Sequence, residues 1–228
     1  NLVTNLDARL QAATEKALQS SVLRAKSLGG RADGGAAIVM EVNSGKILAL
    51  ASYPTYDPNI WQVGLTQKQA TNLFSESSGV PALNRPLQGM YAPASTFKSI
   101  SAVAAINAGY NMNSSYKCPA KVLIGNREFA NFETKSQGTI NMKRAIAVSC
   151  DTIWYQIAYD EWVRDGGLFP KSGLHDYFFT AARGFGLGKT TGIDLPSEAS
   201  GRLPDRAWKE AVYKENKDFY CNFKTRAK

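Results

Sequence analysis

Pro93 is followed by Ala94-Ser95-Thr96-Phe97-Lys98-Ser99-Ile100-Ser101-Ala102-Val103-Ala104-Ala105-Ile106-Asn107-Ala108, and Gly109 closes the run. Proline at the start, glycine at the end and no glycine or proline between them predict a helix over Ala94 to Ala108. Phe97, Ile100, Ala104 and Ile106 are expected to face a core, and Ser95, Lys98 and Ala102 to form a second stripe. A serine at a helix start has unpaired backbone N–H groups and the positive end of the dipole beside it, both of which stabilise a developing oxyanion. A lysine three residues on lies on the same face, and an apolar helix that desolvates it makes it a base for that serine. Ser95 is therefore the candidate nucleophile and Lys98 its base. The competing reading is a serine that caps a buried helix beside a solvated lysine. Spacing alone does not separate the two, because chance supplies about 1.3 Ser-x-x-Lys matches in such a composition. The second match, Ser114 to Lys117, lies between Asn111-Met112-Asn113 and Cys118-Pro119 and reads as loop.

Further along, Ser149-Cys150-Asp151 is the one place where serine stands two residues before an acidic or amide side chain. A Ser-Lys site needs a second polar pair to relay the proton, and Ser149 with Asp151 is the candidate. Asp151 also reads as the N-cap of a helix beginning at Thr152, and a capping aspartate would hold Ser149 rigidly. Toward the N-terminus, Thr4 to Leu28 has helical periodicity with Thr4 as the expected N-cap. Ala36 to Val42 and Lys46 to Ala51 flank Asn43-Ser44-Gly45 and predict a hairpin of two largely buried strands. Residues 60 to 183 read as helical and irregular, and the order of elements predicts an α+β domain whose sheet is finished by later strands.

The 228 residues are 44% hydrophobic and 20% charged, an ordinary globular composition. No apolar run is long enough to span a membrane, and no signal peptide stands at the start. The first residue is Asn, which reads as a piece cut from a longer protein. The net charge of +8 is spread along the chain, so no nucleic-acid partner is expected. Three cysteines without a CxxC pair, and a single histidine, argue against zinc and against any other metal. The odd cysteine count leaves two options, one bridge plus a buried thiol or no bridge. His175 reads as an exposed residue at a helix start. Gly184 to Thr190 is one residue short of a phosphate-binding loop and is not followed by a helix pattern, so no nucleotide cofactor is expected.

Pro93-Ala94-Ser95-Thr96-Phe97-Lys98, with Asn84 to Tyr91 ahead of it, resembles the first motif of the class B penicillin-binding proteins. Gly35 to Ser52 resembles that family's opening hairpin and Tyr53 to Asn59 the loop behind it. Thr191 to Pro196 and Gly201-Arg202-Leu203-Pro204 are similar to the segment beyond its helical insertion. Asp at 151 resembles the elongation-type subgroup. The resemblance implies a β-lactamase/D,D-transpeptidase-like α+β fold, an antiparallel sheet flanked by helices plus a mostly helical subdomain. It divides the chain into sheet-side segments of about 1–59 and 184–228 and a helical subdomain of about 60–183. It implies a D,D-transpeptidase in which Ser95 attacks the penultimate D-Ala carbonyl of a peptidoglycan stem peptide, Lys98 takes its proton and Ser149 with Asp151 relays one. No cofactor is implied. β-Lactams are implied as acylating mimics, a SEDS glycosyltransferase as membrane partner, and the extracytoplasmic membrane face as location, with an anchoring helix upstream. A class D-like β-lactamase and a β-lactam sensor domain share the first motif and are the alternatives. The family's third motif, Lys-Ser/Thr-Gly-Thr on a strand, has a letter match at Lys171-Ser172-Gly173, but its flanks lack strand alternation. The motif is therefore expected after Lys228, and this piece alone is expected to be a poor or inactive enzyme.

Overall fold

The computed structural model describes residues 3–62, 64–170 and 172–222. Helices and antiparallel strand pairs make an α+β arrangement in two compact units, one containing the residues up to Tyr91 with Ile193–Ala199, the other Ala92–Gly192 with the residues from Ser200 onward.

In the first unit, α1 (Ala8–Ser27) starts at Asp7, not at the expected Thr4. The Asp7 carboxylate accepts from the Arg9 and Leu10 N–H groups, both at 2.9 Å, and an ionised side chain at a helix N-terminus outcompetes a more distant threonine hydroxyl. β1 (Gly35–Met40) and β2 (Ile47–Tyr53) pair antiparallel, with a register shift between Val39 and Met40. α1 lies along β2, and the Gln11 amide extends the ladder by accepting from Leu50 N–H at 2.7 Å and donating to Leu50 O at 3.0 Å. Gly35 sits where an added Cβ would meet Leu18 and Val22 at 3.0 and 3.1 Å, so helix and strand are in close contact there. The expectation of two largely buried strands is corrected for β1. Ile38 and Met40 are about half exposed, because the strand alternates and only one of its faces is covered. Among the described residues, β1 and β2 pair only with each other. α2 (Gln67–Phe74) carries a reciprocal Thr66–Gln69 capping box, and α3 (Arg85–Gln88) buries Arg85, whose guanidinium donates to the carbonyls of Gly79 and Val80.

The second unit begins with a 3-10 turn, Ala94–Phe97, that runs into α4 (Lys98–Asn107). Four short strands follow where helix and irregular chain were expected: β3 (Tyr116–Cys118), β4 (Lys121–Ile124), β5 (Arg127–Ala130) and β6 (Gly138–Ile140). β3 pairs with β6, and β4 with β5 around a two-residue Gly125-Asn126 turn. α5 (Met142–Ala147), α6 (Thr152–Arg164) and α7 (Tyr177–Gly184) complete the packed part, and α8 (Arg206–Glu215) and α9 (Lys217–Cys221) follow. The core is Ala102, Ala105, Cys118, Met142, Ala145, Cys150, Ile153, Trp154 and Ile157. The large side chains that α6 buries there each contribute about 1.5 to 3 kcal/mol, and the alanines of α4 let neighbouring helices approach closely. Ile106 is 44% exposed, so the core stripe of α4 runs through Ala102, Ala104 and Ala105 instead.

Cys118 and Cys150 form a disulfide, so the option with one bridge holds, but the third thiol, Cys221, is exposed and not buried. The bridge closes a loop across a sequence separation of 32. Loss of loop-closure entropy in the unfolded chain then stabilises the fold by about 3 to 4 kcal/mol. Replacing both cysteines by serine should lower the free energy of unfolding by that amount in urea titration. A change under 1 kcal/mol would rule the constraint out.

Asp165 closes α6 and accepts from the backbone N–H groups of Asp176 at 3.1 Å and His175 at 3.3 Å, and from His175 Nδ1 at 3.1 Å. His175 is exposed just ahead of α7, as expected. Burial pushes the Asp165 carboxyl up, but the Asp176 N–H, the His175 ring and the His175 N–H more than offset it and hold it below the usual carboxylate range. A depressed folded-state value gives stability that is present above the unfolded-state value and lost as pH falls through the folded one. Stability should therefore decline as the pH drops below about 4. Asp165→Asn should flatten that acid limb in urea titrations across the range, and an unchanged slope would exclude the carboxylate as its source.

Candidate active site

Ser95 and Lys98 lie on one face because the 3-10 turn passes directly into α4 at Lys98. Ala94 has a left-handed backbone, φ 49, which turns the chain sharply just before Ser95. The Ser95 side chain is exposed and Lys98 is buried. The first N–H bonded inside the turn is that of Thr96, to Pro93 O. The Ser95 N–H is therefore one of the orphan donors of a helix start.

Lys98 Nζ is 3.2 Å from Ser95 Oγ, 2.7 Å from Ser149 Oγ, 2.8 Å from Ser149 O and 2.6 Å from Asp151 Oδ1. Ser95 Oγ and Ser149 Oγ are themselves 3.0 Å apart. The four candidate residues thus converge on one amine. Ser149 presents both its hydroxyl and its carbonyl to that amine, since its backbone is also left-handed, φ 53. An ammonium has three donors and no acceptor, whereas a neutral amine keeps two donors and one lone pair. The three shorter contacts are made to Ser149 and Asp151. Ser95 Oγ is the furthest of the four oxygens around the amine.

Asp151 does not cap α6 with its side chain, in contrast to the sequence-based expectation. Its carboxylate is engaged by Lys98 through Oδ1 and by the Phe132 N–H through Oδ2 at 3.2 Å. The N–H groups at the head of α6, of Asp151 at 2.9 Å and Thr152 at 3.1 Å, donate to Asn131 Oδ1. No sequence pattern pointed to Asn131, because its partners are 20 and 21 residues away.

The other sequence candidates fall elsewhere. Ser114 lies in an exposed bend ahead of β3. Lys171 lies outside the described residues, and Ser172 and Gly173 form a bend with no strand. Gly184 ends α7, and the Lys189 segment opens no helix.

The model of the penicillin binding protein transpeptidase domain matches residues 35–218. The chain belongs to the penicillin-binding protein transpeptidase family. It is similar to the peptidoglycan D,D-transpeptidase MrdA of Salmonella typhimurium, 34% identical over 183 residues that make up 79% of this chain and 27% of that protein. Among solved structures it resembles a chain described under "Structural coordination of polymerization and crosslinking by a peptidoglycan synthase complex" (TM-score 0.75, 32% identity, 91% of this chain and 35% of that one). It also resembles penicillin-binding protein A of M. tuberculosis in a ceftriaxone acyl-enzyme complex (TM-score 0.69, 27% identity, 90% and 44%). The chain thus spans about a quarter to under half of the length of these relatives. The β-lactamase/D,D-transpeptidase-like α+β fold and the class B, elongation-type assignment agree with these matches.

Proposed function

We propose that the protein is a peptidoglycan D,D-transpeptidase that acts through an acyl-enzyme on Ser95, and that this chain holds the nucleophile, its base and a proton relay. The observation that carries the reading is the single buried amine of Lys98 within hydrogen-bonding distance of Ser95 Oγ, Ser149 Oγ and the Asp151 carboxylate. Neutral Lys98 accepts the Ser95 hydroxyl proton as Oγ bonds to the penultimate D-Ala carbonyl carbon of a stem peptide ending in D-Ala-D-Ala. The oxyanion is stabilised by the Ser95 N–H at the start of the turn. The tetrahedral centre collapses with cleavage of the C–N bond. The departing D-Ala amine takes a proton from Ser149 Oγ, which is refilled from Lys98. An acceptor amine then reverses the sequence and leaves a cross-link. Asp151 holds the ammonium that forms at Lys98 in the first step.

β-Lactams would enter the same steps, with the ring C–N bond in place of the peptide bond. The similarity to proteins named D,D-transpeptidase, and to one caught as an acyl-enzyme, supports this chemistry. A membrane polymerase of the SEDS type is the proposed partner and the extracytoplasmic membrane face the proposed location. No helix among the described residues is long and apolar enough to cross a membrane. We also place the third motif of the complete protein after Lys228, with residues 1–59 and 184–228 on the sheet side and 60–183 as the helical subdomain. The test is to treat the full-length protein with benzylpenicillin and locate the adduct by tandem mass spectrometry. It should sit on Ser95. An adduct on Ser149 or Ser114, or none at all, would overturn the assignment.

A further inference from the structure

Asn131 is 7% exposed and stands at the end of β5, where its side-chain amide joins three segments. Nδ2 donates to Lys135 O at 2.8 Å and Pro119 O at 3.0 Å and contacts Cys118 Sγ at 3.5 Å. Oδ1 accepts from Asp151 and Thr152. The orientation is unique, since a flipped amide would set its oxygen against two carbonyls and its NH2 against two N–H groups. The Asn131 backbone is held as well, by donation to Ala120 O at 3.0 Å and acceptance from Thr134 N–H at 2.8 Å. The neighbouring Phe132 N–H reaches Asp151 Oδ2, and Phe129 of β5 packs on Tyr155 of α6 with ring centres 5.5 Å apart. Thr152, fully buried, donates to the same Pro119 carbonyl at 2.9 Å.

These contacts have one consequence for the amine site. The first N–H groups of a helix need acceptors, and the aspartate at the head of α6 is the local side chain suited to supply one. If Asp151 turned inward to cap, its carboxylate would leave Lys98. Asn131 takes the two N–H groups ahead of those, of Asp151 and Thr152, and so pins the Asp151 backbone from another segment. We propose that Asn131 is a positioning residue for acylation: by accepting from the N–H groups of Asp151 and Thr152 it pins the Asp151 backbone, so that the Asp151 carboxylate holds Lys98 beside Ser95 and Ser149. The proposal rests on the transpeptidase reading above.

The experiment measures acylation of the full-length protein by a fluorescent penicillin, separating the first-order rate at saturation from the fraction of molecules that label. Asn131→Ala should lower the saturating rate about 10- to 100-fold, the scale of a misplacement near 1 Å, in the molecules that still label. Asn131→Asp retains the accepting oxygen and loses the donors. It should recover most of the rate even though it melts below the wild type. A purely structural role predicts the opposite for Asn131→Ala, fewer labelled molecules at the wild-type rate, and that result overturns the proposal. Should Asn131→Ala leave too little folded protein, Asn131→Gln decides, because it keeps the amide but sets its oxygen one methylene further out. A slowed rate carries the proposal and a wild-type rate overturns it. Wild-type protein that fails to label at Ser95 would overturn the transpeptidase reading and this inference together, whereas a labelled wild type beside an equally fast Asn131→Ala would overturn only the inference.

Discussion

Ser95→Ala is expected to abolish covalent labelling by penicillin while leaving the fold intact. The side chain is exposed, and its contacts are with Lys98 and Ser149, so its loss removes no buried packing and should change stability by no more than about 0.5 kcal/mol. No other hydroxyl stands in the same position. Ser149 Oγ lies close to the amine, but it sits on a left-handed residue ahead of α6 and not in the turn that leaves the Ser95 N–H without an intrahelical partner. A melting curve superimposed on that of the wild type, together with no labelled band after prolonged incubation, is the expected pair of results. Undiminished labelling would mean that another residue is acylated.

Lys98→Ala should slow acylation by about 10² to 10⁴, the range for loss of a positioned general base. It should also lower the melting temperature, because the Asp151 carboxylate, with a side chain only 19% exposed, would lose its counter-ion at 2.6 Å. Lys98→Arg separates these roles. A guanidinium keeps the charge but offers no lone pair at neutral pH, so Arg should restore part of the stability and none of the rate. An arginine variant that acylates as fast as the wild type would remove Lys98 as the base and leave it as a fixed charge.

The nucleophile and its base were legible because their relation is local. Two residues three positions apart on one helical face need no tertiary information, and the flanking Pro93 and Gly109 fix the element. The helix periods of α1 and α6 were legible for the same reason. The short strands were missed although a signal was present. Gly125-Asn126 between Lys121-Val122-Leu123-Ile124 and Arg127-Glu128-Phe129-Ala130 is a two-residue hairpin turn, but the runs are too short to outweigh the helical segments around them. Asp151 was read correctly as standing at the head of α6 and wrongly as its cap. Its carboxylate pairs with Lys98 and the Phe132 N–H while Asn131 holds its backbone, and no spacing rule connects residues 20 apart. The bridge between Cys118 and Cys150 was equally out of reach, since three cysteines allow several pairings and burial alone selects one.

Both residues that aim the nucleophilic centre, Ala94 and Ser149, adopt left-handed backbone angles without being glycine. Such a conformation costs an ordinary side chain about 1 kcal/mol or more, and that cost persists here on either side of the reacting atoms. Selection for heat tolerance alone would favour glycine at both places. At 149 it would also delete the hydroxyl that lies 2.7 Å from the Lys98 amine and loosen the carbonyl at 2.8 Å. The molecule's thermal margin and the aim of its reacting atoms are therefore set at the same two torsions.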